Sequence, residues 1–151
     1  MSIKYPCFNV RVYAIIINEQ GEVLLADEYQ LNTKMTKFPG GGLQFGEGTK
    51  DCLRREAQEE FGQEIEVLEH FYTLDYYQPS YFYKNCQLLS IYYKARFVEP
   101  IRFAISDKPF DFLRWENGSI SFRWMAKNRL SPDEVSLPVD KVVVGKLQQE
   151  G

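Results

Sequence analysis

The sequence has little of what small domains use to staple themselves together. It contains one histidine, His70, and three cysteines, Cys7, Cys52 and Cys86. The cysteines are odd in number and far apart, with no CxxC and no Cys/His pairing. Neither a disulfide framework nor a zinc site is expected, and a reducing, cytoplasmic setting fits. Basic excess is missing as well. A net charge of -3 offers no general pull on nucleic acid or anionic membrane, so neither is expected as a partner. No apolar run is long enough to span a bilayer, and the first residues lack a signal-peptide core with a small-residue cleavage site. Repeats, low-complexity tracts and internal linkers are also absent, so residues 1–151 are expected to form a single domain.

What is present is an ordinary globular composition, 44% apolar and 26% charged, in a chain of 151 residues. That length buries a sizeable core without staples. Residues 10–17 are rich in Val, Ile and Tyr and predict a strand. A turn at 18–21 leads into a second strand over 22–26, making a hairpin. Residues 27–37 are polar and irregular and predict a loop. Strands are expected over 65–74 and 87–98, separated by an aromatic loop at 76–85 that holds Pro79. Asn117-Gly118 predicts a hairpin over 112–124. Pro138 opens a last helix carrying Val142, Val143 and Leu147. Strands with two helices make an α+β or layered α/β protein.

The chain is organised around residues 37–63, KFPGGGLQFGEGTKDCLRREAQEEFGQ. The start is glycine loop; the rest is a charged run of helix formers, with Gly62 as its stop. Glu56, Glu59 and Glu60 lie three and four positions apart, which at roughly 100° per residue places them on one helical face. Like charges so placed repel unless a cation sits among them. Magnesium is a hard ion that takes carboxylate oxygens, water and substrate phosphates. Leu53, Ala57 and Phe61 form the opposite, buried face. Cys52, with no activating base in sight, reads as a packing residue.

Gly41, Glu47, Arg55, Glu56, Ala57, Glu59, Glu60 and Gly62 match the pattern G-x5-E-x7-R-E-U-x-E-E-x-G-U, with U a bulky aliphatic. In this the stretch resembles the Nudix box of the MutT-like hydrolases. Ala57 is a small U residue, and Gln63 stands where the last aliphatic belongs. The resemblance implies a Nudix fold, an α/β/α sandwich around a mixed sheet. It also implies Mg2+-dependent hydrolysis (Mn2+ as a substitute) of a nucleoside diphosphate linked to another moiety. Gly41, Glu56, Glu59 and Glu60 become the expected metal ligands, the same three glutamates the catalytic residues, and Glu47–Arg55 a structural ion pair. Glu56 is the expected general base, with Glu116 and Asp107 as alternatives.

Substrate choice lies outside the box. Pro79 sits where ADP-ribose-hydrolysing relatives tend to carry proline. Tyr81 sits near a tyrosine of the dinucleoside-polyphosphate group, and residues 78–82 loosely echo the array of the NADH-hydrolysing group. ADP-ribose is the first expectation, and nucleoside triphosphates stay open beside those classes. Tyr77, Pro79 and Tyr81 are the expected substrate contacts, through stacking on a base; the same tyrosines would suit a homodimer interface. Lys34, Lys37 and Arg11 are basic residues within reach of the phosphate question but read as surface, and His70, Trp115 and Trp124 read as structural. A non-catalytic nucleotide-sugar sensor and an RNA-end-processing enzyme are the competing classes. Intact glutamates argue against the first, and net acidity against the second.

Overall fold

The computed structural model describes residues 2–150, which fold as an α+β protein with two helices. The chain forms two compact units, one from residues 1–14 and 40–99, the other from 15–39 and 100–151.

The first unit holds a four-stranded sheet in the order β4-β1-β6-β5. Its strands are β1 (Ser2–Ile16, whose last two residues run into the second unit), β4 (Gly40–Gly42), β5 (Ile65–Thr73) and β6 (Lys84–Phe97). Both β1 and β6 begin earlier than the sequence suggests. Helix α1 (Thr49–Phe61) packs against β4 and β5. Asp51 in its first turn accepts the Gly48 N–H at 3.2 Å, where an acidic group also suits the helix dipole. The helix stops at Gly62, whose φ of 64° is the left-handed cap that glycine adopts most cheaply. Its buried face is Cys52, Leu53, Ala57 and Phe61. Phe61 meets Phe97 edge-on at 5.2 Å between ring centroids. Burying side chains such as Leu53 and Phe61 contributes about 1.5–3 kcal/mol each.

β4 is the edge strand and pairs antiparallel with β1 in the register Arg11↔Gly42, Val12↔Gly41, Tyr13↔Gly40. A Cβ on Gly40 would run into the Tyr13 backbone, 2.7 Å from its Cα. Glycine is therefore what lets this strand press against β1.

The second unit holds a three-stranded antiparallel sheet, β3-β2-β7, formed by β2 (Glu22–Gln30), β3 (Thr33–Lys37) and β7 (Ser119–Ala126). It also carries helix α2 (Pro138–Gln149), which starts at its proline and buries Val139, Asp140, Val143, Val144 and Leu147. The Asp27 carboxylate is fully buried. It receives Arg123 Nε at 2.8 Å, Thr36 Oγ1 at 2.6 Å and the Phe110 N–H at 3.1 Å. A buried charge survives only with partners of this kind.

Three strand expectations need correction. Residues 27–37 are not a loop: β2 continues to Gln30, and a tight turn with positive φ at Leu31 and Asn32 delivers β3. That geometry is what a two-residue hairpin needs. Residues 10–17 and 22–26 meet only at the bridge Ile17↔Val23, and their strands belong to different sheets. Residues 112–118 form no strand. The Asn117-Gly118 turn instead launches β7 along β2, with the Asn117 side chain accepting the Leu31 N–H at 2.8 Å.

Cys7 and Cys86 are joined in a disulfide, with Cα atoms 4.5 Å apart, against the expectation of no bridge. They are 79 positions apart in sequence, and only the folding of β1 and β6 into one sheet brings them together.

Candidate functional site

The site is assembled around Arg55, on the second turn of α1. Its Nε donates to Glu47 Oε2 at 3.0 Å and its Nη2 to Glu47 Oε1 at 2.8 Å, a two-pronged pair. Nη2 also reaches the Gly42 carbonyl at 3.0 Å, and Nη1 reaches Glu56 Oε1 at 3.1 Å and Glu59 Oε2 at 3.2 Å. One guanidinium thus ties the glycine strand, the following loop and the helix together. The Gln44 N–H donates to Glu47 at 2.9 Å as well. Arg55 first, and this N–H second, draw the Glu47 carboxyl down to about 2. The Glu47 hydrogen bond in turn lifts Arg55 above its ordinary value.

Glu56 points at the glycine strand. A Cβ placed on Gly41 would collide with the Glu56 carboxylate, so the absence of a side chain there is what admits it. Glu56 and Glu60 are half-buried and Glu59 is exposed. Cys52 is buried, its thiol donating to the Gly42 carbonyl at 3.6 Å, and burial, with the Glu47 charge next, pushes it up to about 12. It stays a neutral thiol and packs. Gln63, at the position of the last aliphatic, is buried with 3% of its surface exposed.

Tyr77, Pro79 and Tyr81 line one cavity of about 540 Å³, together with Phe82 and both bridged cysteines. Tyr77 and Pro79 are exposed and Tyr81 is half-buried. Glu116 and Asp107 lie in the second unit. His70 bonds Thr73 Oγ1 at 2.7 Å and meets Tyr93 edge-on. Trp115 packs on Tyr29 and Phe112. Lys37 is buried beside Glu28 at 2.9 Å, and Lys34 lies over the Phe110 ring. Arg11, read from the sequence as a surface residue, lies between the Tyr13 and Phe82 rings at 5.6 and 5.2 Å from their centroids.

The family model described as the NUDIX domain matches residues 8–142. The chain belongs to the NUDIX family. Nudix members are hydrolases of small nucleotide compounds and generally use divalent metal ions. No curated protein matches the sequence. Among solved structures, the chain is similar to the Escherichia coli ORF135 protein, at 18% identity and TM-score 0.71, covering 95% of this chain and 91% of that one. It is similar to the MutT Nudix hydrolase of methicillin-resistant Staphylococcus aureus 252, at 23% identity and TM-score 0.67, covering 97% and 99%. It is also similar to an ADP-ribose pyrophosphatase of Streptococcus suis, at 17% identity and TM-score 0.57, covering 93% and 87%. At these identities the likeness is one of fold.

The Nudix box residues supply an all-oxygen donor set: three carboxylates and the carbonyls of the glycine strand. Hard divalent cations prefer such donors, and the space that a Gly41 Cβ would fill keeps backbone and carboxylate close. Among the described residues, no group of three or more carboxylate, His or Cys side chains is already gathered as a metal cage. Arg55 instead engages Glu56 and Glu59.

Proposed function

We propose that this Nudix hydrolase cleaves a diphosphate bond in a nucleoside diphosphate linked to another moiety, with ADP-ribose as the first substrate to try. The cation proposed is Mg2+, with Mn2+ as substitute, held by Glu56, Glu59, Glu60 and the Gly41 carbonyl. The observation that carries this reading is the Arg55 hub, which holds Glu47, Glu56, Glu59 and the Gly42 carbonyl in one hydrogen-bonded set. A cation bound there offsets phosphate charge and acidifies water.

The residues would divide the work as follows. Arg55 orients Glu56 by holding its Oε1, and the Glu56 carboxylate takes the proton of the attacking water. The water oxygen bonds to phosphorus, the bond from phosphorus to the bridging oxygen breaks, and that oxygen leaves on the departing phosphate. Glu47 occupies Arg55 from the loop side and fixes its plane. Glu59 and Glu60 serve as oxygen ligands, and Tyr77, Pro79 and Tyr81 receive the base or the second moiety.

Further parts of the reading are proposed with it. Residues 1–151 act as one domain, which the run of the family match through both units supports. The exposed Tyr5, Phe8 and Phe45 support pairing with a second copy, for which light scattering should read twice 17.7 kDa. No helix among the described residues is long and apolar enough to cross a membrane. A cytoplasmic location is proposed with a condition: cytosolic thiol buffers would keep Cys7 and Cys86 reduced, and thiol labelling of freshly lysed cells tests this.

The test is a panel of ADP-ribose, NADH, diadenosine polyphosphates, nucleotide sugars and nucleoside triphosphates, each with Mg2+, Mn2+ or chelator. Metal-dependent phosphate-product release from at least one supports the reading. No turnover on any would return the chain to the class of nucleotide-sugar sensors.

A further inference from the structure

Alternate residues of a strand share a face, and on β1 the row Cys7, Asn9, Arg11, Tyr13 faces one segment of chain, residues 78–92. Cys7 is bridged to Cys86. Asn9 Nδ2 donates to Ser80 Oγ at 3.1 Å. Arg11 lies 5.2 Å from the Phe82 ring centroid, and Tyr13 stacks on Tyr92 at 5.2 Å. The segment is closed on itself by Ser80 N–H to the Cys86 carbonyl at 2.9 Å and Leu88 N–H to the Gln78 carbonyl at 2.8 Å. This closed segment carries the aromatic cavity.

The other end of the row touches the glycine strand. Arg11 is paired with Gly42, and its Nη1 lies 3.8 Å from where a Gly42 Cβ would stand. The corresponding Cβ of Gly41 points at Glu56 instead. Successive residues of a strand face opposite sides, so Glu56 and Arg11 flank the glycine strand from its two faces. That strand is an edge of its sheet, with Gly40 and Gly41 buried and Gly42 half-buried. Tyr13 Oη accepts Arg11 Nε at 2.7 Å, and the two rings hold the guanidinium plane. A planar, oriented guanidinium is suited to phosphate oxygens, and flanking rings limit the freedom lost when it binds.

We infer that Arg11 is a substrate-binding, specificity-determining residue. It holds the nucleoside-side phosphate of the diphosphate at the glycine strand, with the nucleoside lodged in the aromatic cavity. This rests on the diphosphate reading above, but it can be scored separately by binding. Titrations of ADP, GDP, CDP and UDP are made with Mg2+ into the wild-type protein, Arg11→Ala and Arg11→Lys. Thermal unfolding is recorded for each. Arg11→Ala should weaken the best-bound diphosphate roughly tenfold or more, and Arg11→Lys should regain a substantial part of that loss through its retained charge. Unfolding midpoints should stay together. Unchanged affinity in Arg11→Ala overturns the inference. So does a loss that lysine does not relieve at all, or a wild-type protein that binds none of the four diphosphates. Intact, Arg11-dependent binding without turnover would instead sink the hydrolase reading alone.

Discussion

Arg55 grips Glu47 with two parallel hydrogen bonds, at 3.0 and 2.8 Å, across eight residues of loop and helix. The same guanidinium holds Glu56, so the loop that carries the glycines and the helix that carries the glutamates are fixed relative to each other by one side chain.

The pair has a pH signature. The Glu47 carboxyl lies at about 2 in the folded protein against 4.5 for the unperturbed group. A depressed folded value means its contribution to stability is fully present above about pH 4.5 and is lost as pH falls toward 2. Urea unfolding of wild type and Glu47→Gln across this window should converge as pH falls. Parallel curves with a constant gap would contradict the assignment.

Gly41→Ala tests the close approach of strand and carboxylate. The added Cβ collides with Glu56, so that carboxylate must move. Overpacking of this kind costs about 1–3 kcal/mol. Turnover should fall well beyond what the loss of folded protein explains, whereas Gly145→Ala, in helix α2 and with nothing within 4 Å of its Cβ, should retain far more activity. Equal activity of Gly41→Ala and wild type would remove the geometric role of Gly41.

The disulfide yields a stability prediction. It closes a loop of 79 positions, and bridges over long loops contribute about 2–5 kcal/mol. Cys86→Ser should lower stability by that order, and labelling of the native oxidised protein should find no fast-reacting thiol, because Cys52 is buried. A fast-reacting thiol in non-reducing buffer would show that the bridge is not formed.

Much of this was readable from sequence where a local rule held. α1 and its stop at Gly62 follow from helix formers ended by a residue able to take a left-handed φ, and the box spacing put Glu47, Arg55 and Glu56 into one set. β3 was not readable, because Thr33-Lys34-Met35-Thr36-Lys37 has no two-residue alternation of apolar side chains. Its strand exists because Lys37 finds Glu28 and Thr36 finds Asp27 across the sheet. Asn117-Gly118 was recognised as a turn, but its local signal does not reveal that the outgoing strand pairs with β2. The Cys7–Cys86 bridge and the Arg11–Phe82 stack are contacts between distant segments, and no spacing rule encodes them.

The central claim is that the helix-borne glutamates work through a divalent cation on a diphosphate. Steady-state turnover of the best panel substrate, against Mg2+ concentration, should be compared for wild type, Glu59→Gln and Glu60→Gln, with folding checked by circular dichroism. The account predicts wild-type turnover that needs Mg2+ and vanishes with chelator, and folded variants whose turnover falls by about a hundredfold or more, equivalent to roughly 2.7 kcal/mol or more of barrier. Variants that turn over at the wild-type rate, or wild-type turnover indifferent to chelator, would contradict it.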